Sequence, residues 1–323
     1  MNVHAPALAQ AHAFDEQASV FAGDVIGALS QHPKKLSPKY FYDAAGSELF
    51  EQITVLPEYY PTRTELGILR GRGREIADII PNGAALVEFG AGATTKVRLL
   101  LESCDFAAYV PVDISGDFLS AQAEALRRDF PALGVYPVAA DFTAPFALPA
   151  DIAGMPKVGF FPGSTLGNFE PHEACAFLRS AREILGEGAQ MIIGVDLEKN
   201  ERVLYDAYND AAGVTAQFNL NVLVRINREL GGNFDISAFM HRSIYNRERH
   251  RIEMHLIAKK AQTVRIMGRN FSFRPGESIH TESSYKYSLE RFTALARESG
   301  WSVRESWTDP EQMFSVHALA ASG

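Results

Sequence analysis

Residues 86–99 read LVEFGAGATTKVRL, an apolar run that ends on an acid and continues into a glycine-rich turn and an amphipathic stretch. This pattern predicts a strand, a tight loop and the start of a helix, an arrangement on which nucleotide cofactors are bound. The spacing Gly90-x-Gly92 lacks the third glycine of a dinucleotide fingerprint, and Lys96 is not preceded by the glycines of a triphosphate-binding loop. An acid before two glycines instead favours a cofactor that carries a positive charge and no pyrophosphate.

Two further predicted strands also end on acids. Asp113 ends the second strand, where a carboxylate can accept hydrogen bonds from both ribose hydroxyls. Asp141 and Phe142 end the third, where a carboxylate and an aromatic ring suit an adenine. Taken singly, either aspartate is explained equally well as a loop acid that caps a helix. The set together predicts S-adenosylmethionine as the cofactor. The predicted cofactor-binding residues are Glu88, Gly90, Gly92, Lys96, Asp113, Asp141 and Phe142.

The order of patterns along the chain predicts the fold class. Short apolar strands alternate with amphipathic helices from about residue 84 to residue 197, which is typical of a parallel sheet covered on both faces. Thr62 and Glu65, directly after Pro61, have capping-box spacing and predict that a helix begins there. Beyond Leu197 come two helical stretches and then period-two strands that predict an antiparallel meander, before α/β patterns return near residue 288. About ninety residues therefore appear as an insertion into a doubly wound, Rossmann-like α/β domain.

Composition excludes several functional classes. The 323-residue chain has a net charge of −8 and no long basic run, which argues against nucleic acid as a partner. No apolar run approaches the ~20 residues that cross a bilayer, and the N-terminal residues lack a signal-peptide pattern. Two cysteines, Cys104 and Cys175, fit a reducing cytoplasm. The nine histidines show no metal-ligand spacing, so we expect a cytoplasmic protein that needs no metal.

Four longer motifs carry a family resemblance. They are FYDAAGSELFEQIT at 41–54, LPEYYPTRTE at 56–65, FFPGSTLGNF at 160–169 and TESSYKY at 281–287. In this order around the cofactor motif, they resemble the L-histidine Nα-methyltransferases of ergothioneine biosynthesis, from about residue 37 to the C-terminus. The resemblance implies a class I methyltransferase core of 62–196 and 287–323, with an α+β substrate-binding domain of 10–61 and 197–286. It also implies the addition of three methyl groups to the α-amine of L-histidine, giving hercynine and S-adenosylhomocysteine. Separately, we expect a monomer.

The resemblance assigns roles to residues of these motifs and of the insertion. Gly163 and Thr165 are expected at the amine, Asn168 and Tyr208 at the carboxylate. The expected imidazole and further pocket residues are Tyr59, Glu282, Ser284, Met254, Tyr42 and Phe50. Tyr42 is also a candidate relay for the amine proton. Whether Tyr59 or the adjacent Tyr60 faces the substrate stays open.

Simpler interpretations remain for several of these residues. Asn168 also suits a turn, Tyr208 a helix core and Met254 a strand core. Glu282 and Ser284 are two apart on a strand, so a solvent-facing strand surface explains their spacing equally well. Two alternative functions also remain: methylation of another aromatic amino acid, such as a tryptophan or tyrosine derivative, and S-adenosylmethionine binding without catalysis.

Overall fold

The computed structural model describes residues 19–322, apart from the side chains of Asp117 and Phe118. The described residues form two compact units. The larger unit comprises Tyr60–Lys199 and 284–322, and the smaller unit comprises 19–59 and Asn200–Ser283. The assignment of a methyltransferase core and a substrate-binding domain to such units stays a proposal.

Strands and helices are numbered here in chain order. The strands are β1 (Lys34–Lys35), β2 (Ala84–Phe89), β3 (Phe106–Asp113), β4 (Gly134–Val135), β5 (Val138–Ala139), β6 (Lys157–Phe161), β7 (Gln190–Asp196), β8 (Phe239–Asn246), β9 (Arg251–Ala258), β10 (Gln262–Ile266), β11 (Arg269–Phe273), β12 (Ser278–Tyr285), β13 (Trp301–Thr308) and β14 (Phe314–Ala321). The α-helices are α1 (19–30), α2 (Ala44–Thr54), α3 (Tyr60–Ile79), α4 (Thr95–Ser103), α5 (Gly116–Asp129), α6 (Pro171–Leu185), α7 (Glu201–Tyr208), α8 (Val214–Leu230) and α9 (Leu289–Glu298). Short 3-10 helices cover Pro38–Phe41, Ala150–Ile152, Thr165–Asn168 and Ile236–Ala238.

The sheet of the larger unit is doubly wound. Its strand order is β13-β14-β7-β6-β2-β3-β4, and β5 also pairs with β3. Strand β2 pairs in parallel with β3 on one side and with β6 on the other, and β6 pairs in parallel with β7. Only β14 runs antiparallel to its neighbours, pairing with β7 and β13. The predicted doubly wound, Rossmann-like fold is confirmed, and the strand order changes direction next to β2.

Both faces of this sheet are buried. Along β2, Ala85, Val87 and Phe89 belong to one hydrophobic cluster, while Ala84 and Leu86 belong to another. Side chains of a strand alternate between faces, so the two clusters lie on opposite sides of the sheet. This explains why β2 reads as a continuous apolar run and not as an alternating one.

The carboxyl ends of the parallel strands bring distant residues to one edge of the sheet. Glu88 precedes the last residue of β2, Asp113 ends β3 and Asp196 ends β7. The segment that contains Gly163 follows β6. In open α/β sheets, ligands bind outside the carboxyl ends of the strands, where the strand order changes direction.

The smaller unit mixes helices with antiparallel pairs. β8 pairs with β9, and β10 with β11, both antiparallel. β1 joins β12 in parallel at the edge of a sheet with the order β1-β12-β9-β8. Asp43 accepts from the Gly46 N–H to cap α2, and from the Asn221 amide at 2.7 Å, which holds α2 to α8.

Two sequence predictions need correction. Helix α3 begins at Tyr60, so Thr62 lies within it and forms no capping box with Glu65, whose buried carboxylate has other partners. The predicted third strand is two short pieces, β4 and β5, separated by Tyr136 and Pro137. A proline has no N–H to donate to the ladder, which accounts for the break.

Candidate active site

The loop after β2 depends on two glycines in different ways. Gly90 has φ of +74°, in the left-handed region, and a Cβ there would lie 3.1 Å from the Phe142 ring. The N–H groups of Gly90 and Ala91 both donate to the Val112 carbonyl, at 2.8 and 3.0 Å. A Cβ on Gly92 would meet no atom within 4 Å. Glycine is therefore required at 90 by the backbone and by Phe142, whereas at 92 it leaves the main chain accessible to a ligand.

Glu88 is an acid held inside the fold. Its side chain is 3% exposed and accepts a hydrogen bond from the Tyr109 hydroxyl. Burial raises the pKa of Glu88 to about 8; Tyr109 and the positive charge of Lys96 oppose this, while the negative charges of Glu65 and Asp113 add to it. A carboxyl group with such a pKa keeps its proton near neutral pH unless a positive charge approaches.

Asp113 and Asp141 shape their own loops and also influence each other. Asp113 accepts from the Ser115 N–H at 2.9 Å, and Asp141 accepts from the Thr143 N–H at 2.9 Å. Burial raises the pKa of Asp113, and the negative charge of Asp141 contributes in the same direction. The two acids therefore lie close enough to form one negatively charged patch, although local hydrogen bonding alone explains each position.

Phe142 completes this group at the edge of the sheet. Its ring lies beside Gly90 and packs edge-on against Phe161 and Phe177, with centroids 5.7 and 5.9 Å apart. The structure thus brings together the predicted cofactor residues that follow β2, β3 and β5. This clustering joins segments about fifty residues apart in the chain.

The loop after β6 is tightly constrained. Gly163 and Ser164 have φ of +80° and +57°, both left-handed. The Thr165 hydroxyl donates to the Pro162 carbonyl at 2.9 Å, and the Ser164 hydroxyl accepts from the Asp196 N–H at the same distance. This loop leads into the 3-10 helix Thr165–Asn168, so Gly163, Thr165 and the half-buried Asn168 lie in one rigid segment.

A buried carboxylate connects this loop to the cofactor loop. Both oxygens of Glu65, which is 1% exposed, accept from the Gly163 N–H at 3.0 Å. One of them also lies 2.7 Å from the Lys96 ammonium. Lys96 thus has a protein partner in addition to its predicted place near the cofactor.

Asp196 is the centre of a second buried network. The Tyr60 hydroxyl lies 2.9 and 2.8 Å from its two oxygens, Lys199 lies 2.6 Å away and Lys286 lies 2.8 Å away. Lys286 also donates to the Ser284 hydroxyl at 2.8 Å. The network therefore links the end of β7 to Ser284, one of the predicted substrate residues.

The neighbouring lysines favour the ionised form of Asp196 despite its burial. Burial alone would raise the pKa of Asp196, but the ammonium groups of Lys286 and Lys199 outweigh burial and lower it. Burial also lowers the pKa of Lys199 to about 8, against the opposing effect of Asp196. The Tyr60 hydroxyl is thus engaged in this network, and the assignment of Tyr59 or Tyr60 to the substrate stays a prediction.

The smaller unit contains a continuous aromatic group. Tyr59 packs against Tyr208 and Phe50, both with ring centroids 6.3 Å apart. Tyr42 contacts Phe50 with centroids 5.6 Å apart, and Phe218 contacts both. Four predicted substrate residues, separated by up to 166 positions from 42 to 208, are therefore brought together.

The surface interpretation of the TESSYKY motif is wrong. Glu282 is 8% exposed and Ser284 is 4% exposed, so neither lies on a solvent-facing strand surface. Met254 is also buried, on β9, and its carbonyl accepts from the Thr281 hydroxyl at 3.0 Å. A core role is one explanation for Met254, and the carboxylate of Glu282 is enclosed by the fold.

Some residues of these networks escaped sequence analysis. Asp196 ends the fifth predicted strand, so the strand-end pattern that singled out Asp113 also applied to it. Lys286 lies within TESSYKY, but a lysine in a strand is normally exposed. The capping-box spacing of Glu65 predicted a helix start and no role in the site. Phe218 lies on an amphipathic helix, where an apolar residue by itself predicts only core packing.

The smaller unit also brings together three side chains of metal-ligand type, Glu253, His255 and His280, with ligand atoms within 4.8 Å of one another. The two imidazole rings are stacked, with centroids 5.0 Å apart and planes at 29°. Glu253 accepts from the Arg251 guanidinium at 2.7 Å. Burial lowers the pKa of both histidines, to about 4 for His280. Glu253 thus pairs with arginine, and the two imidazole rings pack on each other.

Comparison with known proteins identifies the family of the chain. A family model for SAM-dependent, histidine-specific methyltransferases matches residues 21–321. The histidine N-alpha-methyltransferase of Mycolicibacterium smegmatis is 41% identical, over 96% of this chain and 97% of that protein. That of Mycobacterium tuberculosis is 40% identical, over 92% of this chain and 94% of that protein. Ergothioneine biosynthesis protein 1 of Neurospora crassa is 33% identical, over 90% of this chain and 33% of its own length.

Within the described residues 19–322, no helix has the length and apolar character needed to cross a bilayer. The family match covers nearly the whole chain, and the two bacterial relatives align along almost their full length. The chain belongs to the family of histidine-specific, S-adenosylmethionine-dependent methyltransferases.

Proposed function

We propose that this methyltransferase adds three methyl groups in turn to the α-amine of L-histidine, giving hercynine in ergothioneine biosynthesis. The observation that carries the proposal lies in the larger unit. There the cofactor loop of Gly90, the acids Asp113 and Asp141, and the constrained loop of Gly163 all follow the carboxyl ends of parallel strands. The named relatives support histidine as the acceptor.

The donor side of the reaction is assigned to the larger unit. Bound S-adenosylmethionine supplies an electrophilic methyl group on a sulfonium. Asp113 accepts from the ribose hydroxyls, Asp141 from the adenine amine, and Phe142 packs on the base. Gly90 and Gly92 bring the main chain close, and Lys96 belongs to the same loop region. The buried Glu88 favours a positively charged ligand, because ionising its carboxyl group becomes easier when a cation is near.

The acceptor side is assigned to residues of the four family motifs and of the insertion. In the larger unit, Gly163 and Thr165 orient the amine, Asn168 binds the carboxylate and Ser284 contacts the imidazole. In the smaller unit, Tyr208 binds the carboxylate. The remaining residues of the smaller unit assigned to the imidazole and its pocket are Tyr59, Glu282, Met254, Tyr42 and Phe50. None of these groups has to form a covalent bond, since methyl transfer to an amine mainly requires alignment, removal of water and an unprotonated nitrogen.

Tyr42 is proposed as the relay for the amine proton. It is the most exposed of the aromatic residues assigned to the pocket, with 40% of its surface accessible. A hydroxyl that reaches water can pass on the proton that each methylation cycle must release. We further propose that the enzyme acts as a cytoplasmic monomer without a metal, a membrane or nucleic acid as partner. The net charge of −8 and the two free thiols support this setting.

The deciding experiment is mass spectrometry of histidine incubated with the purified protein and S-adenosylmethionine. We expect three products that appear in order, each one methyl group heavier than the last. Parallel reactions with tryptophan and tyrosine identify a different aromatic acceptor, and cofactor binding without any product identifies a non-catalytic protein. Either result would contradict the proposed function.

A further inference from the structure

Glu65 occupies an unusual position on the second turn of α3. Its side chain is 1% exposed, yet it carries a carboxylate on a helix whose other charged residues are mostly exposed. Strand β7 makes room for it, because a Cβ on Gly194 would lie 2.1 Å from one oxygen of Glu65. A carboxylate is expensive to bury, so a space kept open for one indicates that its contacts matter.

The contacts of Glu65 lead to two loops. The carboxylate accepts from the Gly163 N–H with both oxygens at 3.0 Å, and one oxygen pairs with Lys96 at 2.7 Å. Gly163 belongs to the loop assigned to the substrate amine. Lys96 lies in the first turn of α4, directly after the loop assigned to S-adenosylmethionine. One side chain therefore touches the elements assigned to the methyl donor and to the methyl acceptor.

The geometry at Gly163 is also tight. A Cβ at this position would lie 3.2 Å from the Lys96 ammonium, and its φ of +80° is left-handed. The Gly163 backbone, the Glu65 carboxylate and the Lys96 ammonium thus form a closed triangle within the larger unit. The three groups are therefore joined by direct contacts.

We propose that Glu65 is a positioning residue for methyl transfer, which sets the separation of the Gly163 loop from the cofactor loop through Lys96. This inference rests on the proposed function of the two loops. Transfer between a sulfonium and an amine requires the reacting atoms about 3–3.5 Å apart and in line. A small error in the separation of the loops should therefore reduce the rate of transfer more than it reduces the binding of either ligand.

Three variants test the triangle. Glu65→Gln keeps an acceptor for the Gly163 N–H but removes the ion pair, Lys96→Met removes the ion pair from the other side, and Glu65→Ala removes both contacts. We expect kcat to fall about tenfold for the first two and toward about a hundredfold for Glu65→Ala. The dissociation constant for S-adenosylhomocysteine, measured by calorimetry, should change less than kcat in Glu65→Gln.

The double variant Glu65→Gln with Lys96→Met provides the sharpest comparison. Both substitutions delete the same ion pair, so the double variant should lose no more activity than the more affected single variant. Glu75→Gln is the matched control, since it makes the same change on α3 at a half-exposed carboxylate, 50% accessible, and should leave kcat unchanged. If Glu65→Ala does not fold, the variants Glu65→Gln and Lys96→Met still test the inference.

The following results overturn the inference. Unchanged kcat in both single variants would show that the triangle only stabilises the fold, as would a lowered melting temperature without loss of kcat. Strictly additive losses would show that the two residues act separately. A wild-type protein that does not methylate histidine contradicts the proposed function instead, and the same variants are then measured with the amino acid that it does methylate. A protein that methylates no amine overturns both.

Discussion

Asp196 and Lys286 form an ion pair of 2.8 Å in which each side chain is only 1% exposed. Tyr60 and Lys199 bind the same carboxylate, so four side chains share one buried charge system. Such a pair contributes little net stability, because burying both charges offsets most of their attraction. Removing one member, however, leaves an unpaired buried charge.

The first prediction follows for Asp196→Ala. Two lysines would lose their counter-charge, and we expect the free energy of unfolding to fall by about 3–5 kcal/mol in urea titrations. The control is Asp206→Ala, which breaks a 2.8 Å pair with Arg202 whose side chains are 37% and 79% exposed. An exposed pair is worth about 0–1 kcal/mol. Equal losses in the two variants would contradict the role of Asp196 as the centre of the network.

The second prediction concerns Glu88 and pH. Burial raises the pKa of Glu88 from 4.5 to about 8 in the folded protein, so the unfolded chain loses this proton first. The protonated carboxyl group therefore contributes its full stabilisation below about pH 4.5, the pKa of Glu88 in the unfolded chain. This contribution is lost as pH rises toward about 8, at up to about 1.4 kcal/mol per pH unit.

Glu88→Gln removes this dependence, since an amide does not titrate. In urea titrations of the ligand-free protein, the variant should gain stability relative to wild type at each step from about pH 5 to about pH 8. Two curves that stay parallel over this range would show that Glu88 does not titrate there. Bound S-adenosylmethionine should reduce the difference, because a positive ligand favours the ionised carboxylate.

The third prediction tests the ribose contact of Asp113. Asp113→Ala should weaken the binding of S-adenosylmethionine and S-adenosylhomocysteine alike, by about 1.5–3 kcal/mol or roughly ten- to a hundredfold, since both carry the same ribose. The measurement is calorimetry, with the exposed Asp78→Ala as control. Unchanged affinity for both ligands would leave Asp113 with only its loop hydrogen bond to Ser115.

The sequence predicts the residues assigned to the methyl donor better than it predicts the buried networks around Glu65 and Asp196. Glu88, Gly90 and Asp113 follow from local rules, because strands that end at one edge of a parallel sheet must bring their last residues together. The position of Glu65 could not be derived in this way. Its partners, Gly163 and Lys96, lie 98 and 31 positions away, and only the packing of α3 against the sheet brings them within reach.

The burial of polar side chains is a second property that the spacing of residues in the sequence does not predict. Glu282 and Ser284 alternate along β12 as exposed residues would, yet both are covered. Lys286 is fully buried because Asp196 neutralises its charge, and that partner comes from a different strand, β7. Where a polar residue is stabilised by a partner distant in the chain, sequence pattern alone assigns it to the surface.

The fourth prediction concerns the proposed carboxylate contact of Asn168. The substrate carboxylate does not change during methyl transfer, so a group that binds it contributes equally to the ground state and the transition state. Asn168→Ala should therefore raise KM for histidine far more than KM for S-adenosylmethionine. Histamine, which lacks the carboxylate, should be a poor substrate of the wild-type enzyme. Equal turnover of histamine and histidine would remove this contact from the mechanism.

The last prediction tests the imidazole pocket. Glu282 is a buried carboxylate proposed to accept from the imidazole N–H, and Met254 is proposed to close the apolar side. A site built to hydrogen-bond a ring N–H rejects rings that lack it, because its own polar group is then left unpaired. Replacing Glu282 with Ala and Met254 with Val removes that polar group and enlarges the space. Histidine turnover should fall at least ~10-fold from the lost charge-assisted hydrogen bond, and activity on tryptophan should rise relative to histidine. The measured quantity is the ratio of kcat/KM for the two amino acids in wild type and double variant, with Met254→Val alone as the control for space. If the ratio does not move toward tryptophan, Glu282 and Met254 belong to the core of the smaller unit and not to the imidazole pocket.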